Sequence, residues 1–338
     1  MLQLKNKTSF EATMLMLPDP DGIDSIYAIV KGTFVIGESL EPADEQLPLT
    51  LNDEFHDEPQ NSSIKMPADT TLIKPGTDIL IHGSAWAPGG NPTTEMRVNL
   101  NVAGIDKTVV VMGDRVWESG LTGATISSPE PFESIPLVWE RAFGGVDHIK
   151  DDPTQGDGMA ANPVGTGFRI SNGAKPVEGM KVPNVELEKE RVESIKDRPT
   201  PAGFAALGPN YEPRLSFVGT YDEEWEQSRS PFLPKDFDSR FFHSAPADQI
   251  VADYLNGDEA VRVTGATPNG QLEFQLPGIV PEVTYMFVNR PHVTPVHLDT
   301  VLIEPDEMRV SLVWRTVLQV DKKVLQVNEV SISTALIS

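Results

Sequence analysis

The stretch M-R-V-S-L-V-W-R-T-V-L-Q, Met308 to Gln319, alternates: Met308, Val310, Leu312, Trp314, Thr316 and Leu318 fall on one side of an extended chain, and Arg309, Ser311, Arg315 and Gln319 on the other. Successive side chains of a strand point to opposite faces, so the pattern predicts a half-buried β-strand. Upstream, V-R-V-T-G-A-T-P-N-G-Q-L-E-F-Q-L sets Thr267-Pro268-Asn269-Gly270 between two alternating runs. Pro presets φ at one turn position and Gly accepts positive φ at the end, which predicts a hairpin over 261–276. At the other end of the chain, four β-branched runs at 25–36, 79–86, 96–102 and 107–112 are separated by turn residues and read as antiparallel strands. The expected fold is mainly β: antiparallel sheets in a sandwich or barrel-like arrangement.

Between these ends, from about Ser127 to Pro246, the chain is dense in Pro and Gly and has few periodic runs. This predicts a large, ordered, loop-rich layer. Two short helices are expected. One, P-A-D-Q-I-V-A-D-Y-L-N-G, has Pro246 and Asp248 in a first turn, an apolar face of Ile250, Val251, Tyr254 and Leu255, and Gly257 where a C-terminal cap belongs. The other, V-E-L-E-K-E-R-V-E-S-I-K over 185–196, is charged and thinly amphipathic, a surface helix or a disordered excursion. One unit of 338 residues thus divides into an N-terminal β-rich part (1–126), the loop-rich layer (127–246) and a helix followed by a C-terminal β-rich part (247–338).

The formal charge, 27 basic against 50 acidic residues, is -23. Such a surface repels phosphate backbones and anionic headgroups, so nucleic acid and membrane are poor partners and a basic or apolar polypeptide a better one. No cysteine is present, which removes disulfides and thiolate metal sites and fits a reducing compartment. The start M-L-Q-L-K-N-K-T-S-F-E lacks the order of a signal peptide, and the apolar run Met14 to Leu17 is too short to serve as one. No apolar stretch approaches the roughly 20 residues of a bilayer span. A cytoplasmic location is expected.

The chemistry-bearing residue types do not assemble into a known reactive pattern. His292 and His297 lie an odd number apart and are interrupted by Pro295, which sends them to opposite faces of a strand. His148, among Asp147, Asp151 and Asp152, and the segment D-P-D-G-I-D (19–24) lack the glycine and bidentate glutamate spacing of a calcium loop, and read as acidic turns. Gly165-Thr166-Gly167 lacks the third glycine of a dinucleotide site, and Ser84 in H-G-S-A-W lacks the second glycine of a nucleophile elbow. Pairs of carboxylates can be drawn anywhere in so acidic a chain. No metal, cofactor or catalytic residue is assigned.

The unusual segments are W-E-R-A-F-G-G (Trp139, Glu140, Arg141, Ala142, Phe143, Gly144, Gly145), N-P-V-G-T-G-F (Asn162, Pro163, Val164, Gly165, Thr166, Gly167, Phe168), P-A-G-F ending at Phe204, and P-F-L-P-K-D-F-D-S-R-F-F from Pro231 to Phe242. Glu140 and Arg141 beside an aromatic platform suit a sugar cleft. As scaffold, Trp139 and Phe143 pack inward, Arg141 forms a bidentate pair with a carboxylate from another loop, and Gly144-Gly145 reverse the chain. The scaffold reading is preferred. Phe204, Phe232, Phe237, Phe241 and Phe242 are expected to pin the loop layer to the β core, and Arg240 to pair with Asp236 or Asp238.

Taken with K-P-G-T-D-I-L (74–80), A-W-A-P-G-G (85–90), G-D-R-V-W (113–117), D-R-P-T-P-A-G-F (197–204), V-G-T-Y-D-E-E-W (218–225) and H-S-A-P-A-D-Q (243–249), these motifs resemble a bacterial family long labelled a domain of unknown function. Its members resemble adaptors of the type VI secretion system, encoded beside the VgrG spike, PAAR or PAAR-like tip proteins and effectors. The resemblance spans nearly the whole chain and implies a non-catalytic chaperone that holds an effector or PAAR-like protein in the cytoplasm and loads it onto VgrG. It supplies no catalytic residue. The segment 171–196, with its E-L-E-K-E-R run, departs from the pattern. A structural component of the secretion tail and a carbohydrate-binding or carbohydrate-processing β-sandwich are the alternatives.

Overall fold

The structure, a computed structural model, describes residues 2–120, 123–149, 152–170, 177–288 and 290–336. It is mainly β, built of several antiparallel sheets that form no closed barrel among the described residues. The opening stretch forms the strand Arg309–Gln319, and it is not half-buried. It lies in the interior of a seven-stranded sheet, antiparallel to Asp24–Ile36 on one side and His297–Glu304 on the other. Both faces are covered, and Ser311, Arg315 and Trp314 are all buried. Met308 is no part of the apolar face; it takes a left-handed conformation (φ 51°) at the turn before the strand.

The same sheet continues from Asp24–Ile36 to an outermost strand, Glu11–Pro18, and from His297–Glu304 to Thr77–Ile81 and then Ile250–Val251. The His297–Glu304 and Thr77–Ile81 strands run parallel, which alternation within either strand does not reveal. A five-stranded sheet contains Glu95–Val102 and Ile105–Met112 together with the predicted hairpin, now Ala260–Thr264 and Gln271–Gln275. A four-stranded sheet sets Gln3–Asn6 parallel to Val327–Leu336, then Ile279–Phe287 and Arg290–Thr294. One apolar core joins all three: Ile26, Ile79 and Trp314 from the first, Val98, Val109 and Val263 from the second, and Val283, Tyr285 and Ile332 from the third.

Neither expected helix forms. Over 246–257 the chain makes a short 3-10 turn, Ala247–Gln249, then the strand Ile250–Val251, which adds to Thr77–Ile81. The alternation of Ile250 and Val251 there belongs to a sheet edge, and Gly257 (φ 99°) serves a turn. Over 185–196, Val185–Leu187 is a strand against Ile105–Met112, and the charges that suggested a helix surface are spent on neighbours. Glu186 is buried against Arg115, while Glu188 meets Arg97 and Arg191 meets Glu95. Of the segment set apart by its sequence, 171–176 lie outside the described residues, as does Asp151. The α-helix that is present, Glu223–Ser228, starts at Asp222, whose carboxylate caps the N–H of Trp225 at 2.9 Å.

Candidate functional site

A strand presents alternate residues to opposite faces, and the seven-stranded sheet puts its apolar set on the common core. Its second face carries Lys31, Arg315, Asp299, Thr300 and Asp78, all buried. A charge removed from water needs a partner of opposite sign and filled hydrogen bonds. The sheet itself and two loop segments, 69–74 and 243–244, supply them. Lys31 Nζ lies 2.8 Å from Asp69, and Arg315 is held by Asp299 at 2.5 Å, by the Asp69 carbonyl at 2.8 Å and by the Thr71 carbonyl. Asp78, fully buried, meets Lys74 at 2.8 Å and His243 Nδ1 at 2.6 Å, and accepts the Ser244 N–H at 2.8 Å. Burial pushes the Asp78 carboxyl up, but Lys74 and His243 outweigh it and hold it well below the usual carboxylate range. These pairs fasten loops to sheet.

The W-E-R-A-F-G-G segment forms a second set of fastenings. Trp139 begins a 3-10 turn, is buried, and donates its indole N–H to the carbonyls of Ala205 and Ala206 at 3.1 and 3.0 Å. Glu140 accepts from the backbone N–H and the hydroxyl of Ser63, both at 2.7 Å. Arg141 reaches Asp114 and Asn184 through one guanidinium nitrogen, each at 3.0 Å, so the expected bidentate pair is monodentate, and it is partly open to solvent. Phe143 packs with Trp117, Val182 and Val192 in a separate cluster from Trp139.

Asn162 binds the two motifs together. Its side-chain amide donates to the Trp139 carbonyl at 2.8 Å and the Phe143 carbonyl at 3.0 Å, and its own carbonyl accepts from Gly145 at 2.8 Å. Phe143-Gly144 then pairs in parallel with Thr166-Gly167. This crossing leaves no space for side chains: a Cβ on Gly165 would lie 2.4 Å from the Asn162 amide nitrogen, and one on Gly145, already at φ 101°, 2.4 Å from the Gly165 carbonyl oxygen. Pro163 is half-buried beside it, and Phe168 stacks under Arg198 at 5.7 Å.

The phenylalanines divide. Phe204 is fully buried, and its carbonyl accepts from Ile81 and Gln249 at 3.1 Å each. Phe237, Phe241 and Phe242 instead form a half-buried cluster of their own, with centroids 5.2 to 6.0 Å apart. Phe232 is largely exposed against the turn at Gly22. Arg240 pairs with Asp238 at 2.6 Å and lies over the Phe217 ring; Asp236 serves Thr220.

Several clefts open among the described residues, and three of them bear on the site. One of about 420 Å³ contains Glu304, with His82 and Arg309 gathered around its carboxylate, and Asp306. Arg309 meets Glu304 at 2.7 and 2.8 Å, and Asp306 accepts from Ser84 at 3.0 Å and from the Trp86 indole at 2.7 Å. Burial raises the Glu304 carboxyl, yet the hydrogen bonds from Arg309, with His82 3.8 Å away, bring it down to about 2. A second, of about 400 Å³, holds Arg141, Asp114 and Asn184. The third, of about 360 Å³, is apolar: Trp139, Leu187, Pro201, Leu207, Pro213 and Pro246 line it, with Lys107, Glu212 and Asp248 also present. Burial pushes the Lys107 ammonium down, against the pull of Asp248.

Residues 21–315 match the model of a family described as an uncharacterized protein conserved in bacteria (DUF2169). The chain belongs to this DUF2169 family. No curated protein and no solved structure matches it. The motifs from K-P-G-T-D-I-L to H-S-A-P-A-D-Q fall within the DUF2169 span, and so do the buried pairs Lys31–Asp69 and Lys74–Asp78. Those pairs were not anticipated. The one sign of them is K-P-G-T-D, where a lysine and an aspartate sit four apart at the entry to an apolar strand.

Proposed function

We propose that the protein is a cytoplasmic adaptor or chaperone that holds a type VI secretion effector or a PAAR-like tip protein by direct contact and helps load it onto the VgrG spike, without turnover. The observation that carries this reading is where the motifs go. W-E-R-A-F-G-G, D-R-P-T-P-A-G-F and H-S-A-P-A-D-Q each send residues to the walls of one apolar groove, through Trp139, Pro201 and Pro246, and their polar atoms are bonded into the scaffold rather than presented together. A rigid, loop-built apolar groove on an acidic body suits a holder of polypeptide. No helix among the described residues is long and apolar enough to cross a membrane.

The test is deletion of the gene in its native host with a tagged copy for rescue. Effector abundance or delivery is expected to fall while sheath contraction continues, and the tagged protein is expected to co-purify with the effector or PAAR-like protein. Normal abundance and delivery in the deletion strain refute the reading. For the isolated complex, apolar contact in the groove predicts a negative heat-capacity change on binding.

A further inference from the structure

We propose that the outer edge of the strand Glu11–Pro18 is a docking site for an extended, apolar segment of a partner polypeptide that carries basic residues at one end, taken up by strand addition. Glu11–Pro18 is the terminal strand of the seven-stranded sheet, bonded to Asp24–Ile36 on one side and, among the described residues, to no strand on the other. Every second residue of such an edge turns its N–H and C=O outward, a template for another strand. Edges are ordinarily blunted by charge, proline, bulges or brevity. This one is eight residues long, pairs with its neighbour without a break in register, and confines its charge and its proline to the two ends, Glu11 and Pro18, leaving the six residues between them uncharged and able to donate. Met16 is 59% and Leu17 42% exposed.

The charge around one end selects the occupant. At the turn after Pro18, Asp21 and Asp24 are exposed; Lys322 and Lys323, also exposed, follow Val320, whose N–H bonds the Asp24 carbonyl, and Arg229, bonded to the Pro20 carbonyl at 2.5 Å, brings the acidic helix Glu223–Ser228 alongside, so acids outnumber lysines there. The Arg229 guanidinium is occupied by that carbonyl and by the Leu233 carbonyl at 2.8 Å, while Glu223, Glu224 and Glu226 stay exposed. A body of charge -23 repels a second copy of itself. A strand ending in Lys or Arg meets the acidic end with the right sign, and main-chain bonds supply the rest. This deepens the adaptor reading by naming a contact for its cargo, yet the edge can be tested without it.

The probe is a fluorescein-labelled synthetic peptide of alternating Val and Thr ending in a run of Lys, followed by anisotropy against the full chain. A twin N-methylated at alternate residues and a third ending in Glu serve as controls. The first is expected to bind, and the others to bind at least about tenfold more weakly, since one loses the donors of the ladder and the other meets like charge. Met16→Lys should weaken the first peptide by roughly tenfold and Met16→Glu should not; both substitutions are at an exposed position, and unchanged circular dichroism and melting confirm the fold. Equal binding of the N-methylated peptide, or an indifferent Met16→Lys, overturns the proposal. A concentration-dependent dimer dissolved by Met16→Lys also overturns it, because the occupant is then a second copy. If peptide binding behaves as stated but gene deletion leaves delivery normal, the adaptor reading falls and the edge site stands. If deletion abolishes delivery but Met16→Lys binds the peptide as wild type does, the reverse holds.

Discussion

The Asn162 side-chain amide and the Trp139 backbone carbonyl, 2.8 Å apart, join two loops separated by more than twenty residues of chain. The same amide also holds the Phe143 carbonyl, so one buried side chain satisfies two carbonyls that water cannot reach. Asn162→Ala strands both acceptors. A loss of about 3 kcal/mol is expected in urea unfolding, from two hydrogen bonds and the burial of unmatched carbonyls; a change under about 0.5 kcal/mol would show that the crossing is not held there.

Trp139 and Arg141 stand two residues apart in one motif and should respond differently. Trp139 is 3% exposed and its indole N–H is bonded to backbone, so Trp139→Ala is expected to destabilise by roughly 3–5 kcal/mol. Arg141 and its partner Asp114 both have solvent access, and Arg141→Ala should lose no more than about 1 kcal/mol. Equal losses from the two would contradict this division.

Removing the carboxylate of Asp78 leaves Lys74 and His243 facing each other in a dry site. Asp78→Ala is expected to destabilise by roughly 3–5 kcal/mol, mainly because a buried cation loses its counter-charge. The added substitution Lys74→Met should recover part of that loss. If the double variant is no more stable than the single one, desolvated charge is not the cause.

Acid should release the Glu304 contact. Its carboxyl is held at about 2 against an ordinary 4.5, a depressed value, so its stabilisation is present above the ordinary value and disappears as pH falls from 4.5 towards 2. Thermal melting of wild type against Glu304→Gln should show a clear gap at neutral pH that closes across that window. A gap independent of pH would remove Glu304 from the account.

At Gly165 the obstacle is space. A methyl group there would meet the Asn162 amide at 2.4 Å and the Gly144 Cα at 2.7 Å, so Gly165→Ala should unfold the crossing or shift both strands. Expression of soluble Gly165→Ala with an unchanged melting temperature would show that the loops can part.

Sequence alternation revealed the strands around Val30, Val98, Val109, Val263 and Leu312 because each has apolar residues on at least one face. It could not show that Ser311 and Arg315 are buried too, because polar residues at period two look the same whether water or a paired carboxylate lies above them. The helix expected at 246–257 failed for a related reason: Pro246, Asp248 and Gly257 punctuate a turn as well as a helix, and tertiary pairing of Ile250 with Asp78 decided between them. Glu11–Pro18 is not legible as a strand, since E-A-T-M-L-M-L-P has neither clear alternation nor β-branched side chains beyond Thr13. The motif residues were legible as a set, whereas the groove they share was not, because no spacing relates Trp139 to Pro246.

The insertion of Arg309–Gln319 beside Asp24–Ile36 also sets a timetable. During synthesis the early strand leaves the ribosome with an unsatisfied side, and its neighbour follows only after all the intervening chain has been made. At a translation rate of about 5–20 residues per second, the delay is of order 15–60 s. Throughout that interval the nascent chain carries an exposed, apolar, β-prone segment, so ribosome-associated protection of residues 24–36 should matter more for yield than any late folding step.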